Sequence, residues 1–292
     1  MQITSHVIAM IFDFDDTLTN DSTSALLTKY NCDAPNFWKN DHDRLVNEGW
    51  DSTCAWLHLF LRLMEDGKLP KLTNRELTEF GKTLEPYSGL ETFFDDLNKL
   101  ARAESTATEM FQVEFYIISG GLQDVIEGFR LRHTFSAVWG SQLASDKPDG
   151  PLKYVKRALT FTEKTKYLFE INKGLDQKEA AKNPYLVNRK IDEKNRRVPF
   201  ENMIYVGDGL SDIPCFSLIE KMSNGKGRSV GVFRPGEAPS ARRAWLELLV
   251  PRRVASAHAP FYDGDRELGA VLRLAVQARC SNIKLEKGSA TV

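Results

Sequence analysis

The sequence predicts an α/β fold: a Rossmann-like, mainly parallel sheet with helices on both faces, plus an inserted all-α domain. Three observations carry this. Short apolar runs rich in Val and Ile recur along the chain and alternate with segments of helical period. Several of these runs stop abruptly at carboxylates, serine or glycines, and the C-terminal ends of strands are where an open α/β sheet places its ligands. The stretch 21–86, directly after the first run, has helical spacing and little strand signal.

The first strand is Val7–Phe12, and it ends in Asp13, Asp15, Asp16 and Thr17. Carboxylates crowded at one strand end repel one another and call for a cation. Hard oxygen ligands suit Mg²⁺. Within 21–86, Asp21 or Ser22 caps a helix through Tyr30. Asp51 caps another, with Trp56, Leu57, Phe60, Leu61 and Met64 on one face and Gly67 past its end. Thr73 and Glu76 form a capping box for a further helix. Trp38, Trp50 and Trp56 read as the core of this domain, with a substrate-pocket wall as the sharper alternative.

Pro86–Gly89 marks the return to the sheet, and Leu90–Ala101 is an amphipathic helix. Residues 102–111 read as a loop. Val113–Ile118 is the second strand, ending in Ser119-Gly120-Gly121, and a helix runs from Leu122 to Arg132. Phe135–Trp139 is the third strand. Lys147-Pro148-Asp149-Gly150 is a turn, with Tyr154–Leu159 suggesting a hairpin. Phe161–Gly174 is a helix with Thr162 as N-cap and Gly174 past its end. The polar stretch 175–200, with basic pairs at Arg189-Lys190 and Arg196-Arg197, reads as a solvated excursion. Met203–Val206 and Ser229–Phe233 are the fourth and fifth strands, the fourth ending in Gly207-Asp208-Gly209-Leu210-Ser211-Asp212. Ala241–Val250 and Glu267–Ala278 are helices, Arg253–Ala257 is a candidate edge strand, and residues 281–292 read as a disordered tail.

Composition narrows the function classes. The 292 residues, 42% hydrophobic and 27% charged, describe an ordinary globular protein. A net charge of −1 gives no basic field to attract nucleic acid or a membrane surface. Cys32, Cys54, Cys215 and Cys280 have no metal-like spacing and read as reduced thiols of a cytoplasmic protein. There is no signal-peptide pattern and no run of transmembrane length. The five histidines form no motif, and the oligomeric state has no signature.

Asp13-Phe14-Asp15-Asp16-Thr17, Ser119-Gly120-Gly121, Lys164 and Gly207-Asp208-Gly209-Leu210-Ser211-Asp212 fall in order at strand ends or helix starts. The set resembles the haloacid dehalogenase superfamily, whose signature is DxDxT, a strand-end Ser or Thr, a Lys and GDxxxD. The likeness runs from about residue 7 to 233, and the helical insertion looks like the C1-type cap of its phosphoserine phosphatase-like branch. It implies a core domain of residues 1–20 and 87–280, with a cap at 21–86. It implies Asp13 as nucleophile and Asp15 as general acid and base. Metal contacts fall to Asp13, the backbone carbonyl of Asp15, and Asp208. Ser119, Gly120 and Lys164 bind the phosphoryl group, with Thr17 and Asp212 supporting them. Lys164 opposes the dipole at its helix start, a cost that a nearby function offsets, and Lys166 is the substitute. Asp16 reads as shaping the turn. Asp21 and an Arg in the cap, Arg62, lie where phosphoserine phosphatases hold their amino acid, without a residue-by-residue match.

The acid at position 15 separates this chain from the dehalogenases, which lack it and need no metal. The expected activity is Mg²⁺-dependent hydrolysis of a small phosphomonoester through an aspartyl-phosphate. A phosphotransferase that passes the group to an alcohol is the alternative in chemistry. A non-catalytic metal- or phosphate-binding regulator is the alternative in class.

Overall fold

The computed structural model describes residues 4–264 and 267–289. β1 (Thr4–Phe12) leads into the insertion: α1 (Ser22–Lys29), α2 (Ala34–Asn36), a π-helical turn Phe37–His42 into α3 (Asp43–Asn47), α4 (Ser52–Glu65) and α5 (Asn74–Gly81). The chain returns through α6 (Leu90–Ala103), β2 (Glu109–Leu122), α7 (Gln123–Gly128), β3 (Phe135–Ala144), β4 (Tyr154–Arg157), α8 (Glu163–Lys173) and α9 (Gln177–Lys182). It closes with β5 (Met203–Gly207), α10 (Ile213–Met222), β6 (Arg228–Val232), α11 (Ala238–Ala244), β7 (Ser256–His258) and α12 (Glu267–Ser289).

Among the described residues the strands form one seven-stranded sheet in the order β4-β3-β2-β1-β5-β6-β7. Every pairing is parallel except β3 with β4. The order runs outward from β1 in both directions, so the crevice of the sheet opens at the C-terminal end of β1. A strand of period two buried on both faces must be apolar at every position. β1 obeys this: Ile8, Met10 and Phe12 face one apolar cluster, with α6, α7 and α12, while Val7, Ala9 and Ile11 face the other, with α8 and α10. β1 is flanked by β2 and β5, and the register sets Phe12 opposite both Ile117 and Val206. That register brings three polar strand ends to one edge.

The insertion is not packed apart from the sheet. Phe60, Leu77 and Phe80 of α4 and α5 share one buried cluster with Phe12, Phe94 and Phe129. α5 lies so close to α7 that a Cβ on Gly81 would overlap the carbonyl of Val125, and one on Gly128 the carbonyl of Thr78. Two glycines facing each other are what let these backbones touch.

Several expectations need correction. Thr162 makes no side-chain cap to α8, whose first turn is held by the backbone instead. β2 begins at Glu109, inside the expected loop, because it extends the pairing with Thr4–His6 of β1. β3 runs on to Ala144, where it meets the antiparallel β4. The helix after Ser119 ends at Gly128, short of Arg132. The edge strand is Ser256–His258, three residues later than its expected start. The 175–200 segment is mostly exposed, as expected, yet anchored: Ala180 and Val198 are buried, Lys173 donates to the carbonyl of Arg189 (2.8 Å), and Arg197 pairs with Glu114. The tail is helical through Ser289, since Leu268, Leu272, Val276, Cys280 and Ile283 make one buried stripe that a polar composition conceals. Residues 290–292 of that expected tail lie outside the described residues.

Gly128→Ala is expected to destabilise the protein by about 1–3 kcal/mol or more, because the added methyl meets backbone that cannot move aside. Thermal unfolding checks it: the melting temperature should fall by several degrees, and an unchanged one would contradict this packing.

Candidate active site

The polar residues at the ends of β1, β2 and β5 converge. Asp13 follows β1 and is locked there, its N–H donating to the Val206 carbonyl (2.9 Å) and its Oδ1 accepting from the Phe14 N–H (2.8 Å). Its other oxygen, Oδ2, lies 3.2 Å from Lys164 Nζ. Lys164 enters from the first turn of α8 and is 1% exposed. Its ammonium also donates to Asp212 Oδ1 (2.7 Å) and Ser211 Oγ (3.3 Å). Burial opposes that charge, but Asp13 and Asp212 outweigh it and hold the amine protonated. Lys166 is elsewhere, pairing with Glu163 (3.4 Å) on its own helix.

Asp212 is fully buried and spoken for at both oxygens: Oδ1 accepts from Lys164 and Tyr205 Oη (2.8 Å), Oδ2 from the Gly209 N–H (3.2 Å). Asp208 stands half-buried at the end of β5, 3.7 Å from the guanidinium of Arg243. Asp13, Asp208 and Asp212 each offer an oxygen within 4.8 Å of the others. Burial, and then the neighbouring charges of Asp13 and Asp212, push the Asp208 carboxyl well above the usual range. The Asp13 carboxyl is pushed up to about 6 by burial, with Lys164 pulling it down and Asp212 adding to the rise. Carboxylates that raise one another in this way are a fit site for a hard divalent cation, which would let them ionise together.

Asp15 has a different setting. Its Oδ1 accepts from the Ser22 N–H at the start of α1 (2.8 Å), and its Oδ2 lies where a Cβ on Gly121 would approach to 2.6 Å. A side chain at 121 would displace this carboxyl, which gives the second glycine of Ser119-Gly120-Gly121 a reason. Burial and the nearby Asp21 raise Asp15 well above the ordinary carboxyl range. Its carboxyl is outside the acidic triad. Ser119 is buried beside Asp13 and accepts from the Gly121 N–H (3.1 Å). Gly120 lines the same cavity as Asp13, Asp15 and Asp208. Thr17 is buried beneath the loop, its Oγ1 without a partner among the described residues and its carbonyl accepting from Tyr262 Oη (2.8 Å).

Two contributors were not foreseen, Arg234 and Tyr205. Asp16 adopts a left-handed backbone (φ 57°), and it also binds Arg234 Nη2 at 2.5 Å. Arg234 stands two residues beyond β6, at the same edge of the sheet, a strand-end position that the sequence reading did not single out. Tyr205 was hidden in the apolar run of β5. Trp38 and Trp56 both line the cavity, while Trp50 is 41% exposed. Arg62 pairs with Glu65 (3.4 Å) and Asp66 (3.5 Å) on the exposed face of α4 and does not line the cavity.

A family model described as haloacid dehalogenase-like hydrolase matches residues 10–217. An uncharacterized protein of Borreliella burgdorferi is 27% identical over 267 residues, covering 83% of this chain and 88% of its own. A structure of a phospho-aspartyl intermediate analogue of phosphoserine phosphatase superposes with a TM-score of 0.54 at 15% identity, covering 92% of this chain and 99% of that one. A HAD family hydrolase from Salmonella enterica serovar Typhi gives 0.55 at 14% identity, covering 94% and 72%. A probable phosphoserine phosphatase from Vibrio cholerae gives 0.53 at 13%, covering 97% and 67%. At these identities the structural likeness is one of fold.

A divalent cation held by Asp13 and Asp208 would compete with protons there, since both carboxyls are raised above the usual range. The cation would take the ionised forms, so its affinity would rise with pH and be lost as pH falls through about 6, where Asp13 takes up its proton. Calorimetric titration with Mg²⁺ should give binding at about pH 7.5 at least ~10-fold tighter than at about pH 5, with protons released. An affinity independent of pH would contradict the shared site.

Proposed function

The chain belongs to the haloacid dehalogenase-like hydrolases, and we propose that it is a Mg²⁺-dependent phosphatase acting on a small phosphomonoester through an aspartyl-phosphate on Asp13. The observation that carries this reading is one juxtaposition. A buried, strand-end carboxylate (Asp13) is held 3.2 Å from a buried ammonium (Lys164), in one cavity with a second carboxyl (Asp15) that is kept out of the metal-binding group. The resemblance to phosphoserine phosphatase structures at the level of fold supports the same class.

The chemistry follows from charge. A phosphomonoester dianion repels a carboxylate nucleophile, so positive charge must surround both. Lys164 supplies part of it, and a bound Mg²⁺, held by Asp13 and Asp208, would supply the rest as a Lewis acid. Asp212 stays in its hydrogen bonds and fixes Lys164. The Asp13 carboxylate attacks phosphorus, the P–O ester bond breaks, and the departing alkoxide takes the proton of Asp15. Asp15, now ionised, takes a proton from water, which attacks phosphorus and frees phosphate and the Asp13 carboxylate. Ser119, the Gly120 amide and Lys164 bind phosphoryl oxygens during both steps. A cavity of about 230 Å³ favours a small ester over a macromolecule. No helix among the described residues is long and apolar enough to cross a membrane, and the four cysteines are free. A cytoplasmic setting accords with both.

A panel of small phosphomonoesters assayed with and without Mg²⁺ tests the reading: turnover of at least one, abolished by chelation, is expected, and turnover of none would overturn it. Asp208→Asn should weaken Mg²⁺ binding and lower activity together, by about 10²-fold or more at fixed Mg²⁺. Unchanged activity across a Mg²⁺ titration would remove Asp208 from the site.

A further inference from the structure

The outer half of the catalytic cavity carries information that the phosphoryl chemistry does not use. Trp38, Trp56 and Phe161 line it, together with the carboxylate of Asp21. The two indoles stand at 54° to one another with centroids 6.5 Å apart. Their setting is fixed by hydrogen bonds: Trp38 Nε1 donates to Ser24 Oγ (2.8 Å), and Ser24 Oγ donates to Asp21 Oδ2 (2.5 Å). Asp21 therefore caps α1 and orients Trp38 at once.

The charge balance is one-sided. Asp13, Asp15, Asp16, Asp21 and Asp208 all line the cavity, and no Lys or Arg does among the described residues. Lys164 lies beneath it, spent on Asp13 and Asp212. Arg234 reaches Asp16 and comes to 4.0 Å from Asp21 Oδ2 from outside the lining. A phosphoryl dianion with a divalent cation cancels at the inner end and leaves the outer end acidic and aromatic. A head group bearing a carboxylate meets no Lys or Arg in the lining itself, since the two arginines that border it, Arg234 and Arg243, are turned to Asp16 and Asp208. A cation finds a carboxylate and ring faces, the combination that binds ammonium groups.

We propose that the substrate is the phosphate ester of an amino alcohol, its protonated or quaternary ammonium seated against Trp38, Trp56 and Asp21, with no carboxylate on the head. This rests on the phosphatase reading above and adds the substrate class. It also separates this chain from a preference for phosphoserine, since Arg62, the cap arginine of the sequence reading, is outside the cavity.

The test separates binding from turnover. Calorimetric titration of the Mg²⁺-loaded protein compares trimethylammonio-propylphosphonate, which cannot be hydrolysed, with its neutral tert-butyl isostere. The cationic compound should bind on the order of 10-fold tighter or more. The ratio should shrink toward one in Trp38→Leu and in Asp21→Asn, the latter keeping a good helix cap. Phosphocholine and phosphoethanolamine should be hydrolysed with higher kcat/KM than L-phosphoserine. Equal affinity for the two phosphonates, or better turnover of L-phosphoserine, would overturn the proposal and leave the phosphatase reading standing. A cation preference in binding with no phosphomonoester hydrolysed would overturn the phosphatase reading and the substrate assignment with it, and leave only an ammonium-binding cavity.

Discussion

The structure depends on keeping like charges together at the end of β1. Asp13, Asp208 and Asp212 each bring an oxygen within 4.8 Å of the others at the floor of the cavity, and Lys164 is the buried cation that makes the arrangement tolerable. A buried charge without a partner is strongly unfavourable, so Lys164 and Asp212 form a unit in which neither is replaceable alone. Tyr205 and the Gly209 amide complete the shell around Asp212 and leave it no freedom to turn. The fold thus presents Asp13 with one oxygen tied to Phe14 and the other facing Lys164.

The sheet exists to hold that edge still. β1 is buried on both faces and paired on both sides, and the register with β2 and β5 decides which residues meet beyond Phe12. The helical insertion contributes through two contacts. The Ser22 amide at the start of α1 holds Asp15, and the glycine-mediated contact between α5 and α7 ties the insertion to the helix that follows Ser119-Gly120-Gly121.

Strand ends were the most legible part of the sequence, because an apolar run that stops at Asp or Ser-Gly-Gly leaves little else to infer. Asp13, Asp15, Ser119 and Asp208 follow from that pattern, and Lys164 from the order of motifs. What sequence concealed had physical reasons. Tyr205 is amphipathic and passes for an apolar residue within β5. Arg234 is distant in the chain from its partner Asp16, and pairwise contacts between distant segments leave no local signal. The tail from Ser281 was misread because one buried residue per turn suffices to hold a polar helix against the core. Residues 175–200 are mostly exposed, as expected, but their anchor was hidden, because the partner of Arg197, Glu114, lies on a strand 83 residues away.

The account turns on Asp13 as the attacking group and Asp15 as the group that moves the proton. Rapid-quench analysis of Asp15→Asn with an aryl phosphate tests both. Asp13 keeps its carboxylate in this variant, and the aryl leaving group needs no proton. Hydrolysis of the intermediate loses its base, a factor of roughly 10²–10⁴. The account predicts a stoichiometric burst of phenol, with one phosphoryl group found on Asp13 by mass mapping and no burst in Asp13→Asn. A phosphoryl group on another residue, or a burst that survives Asp13→Asn, would contradict it.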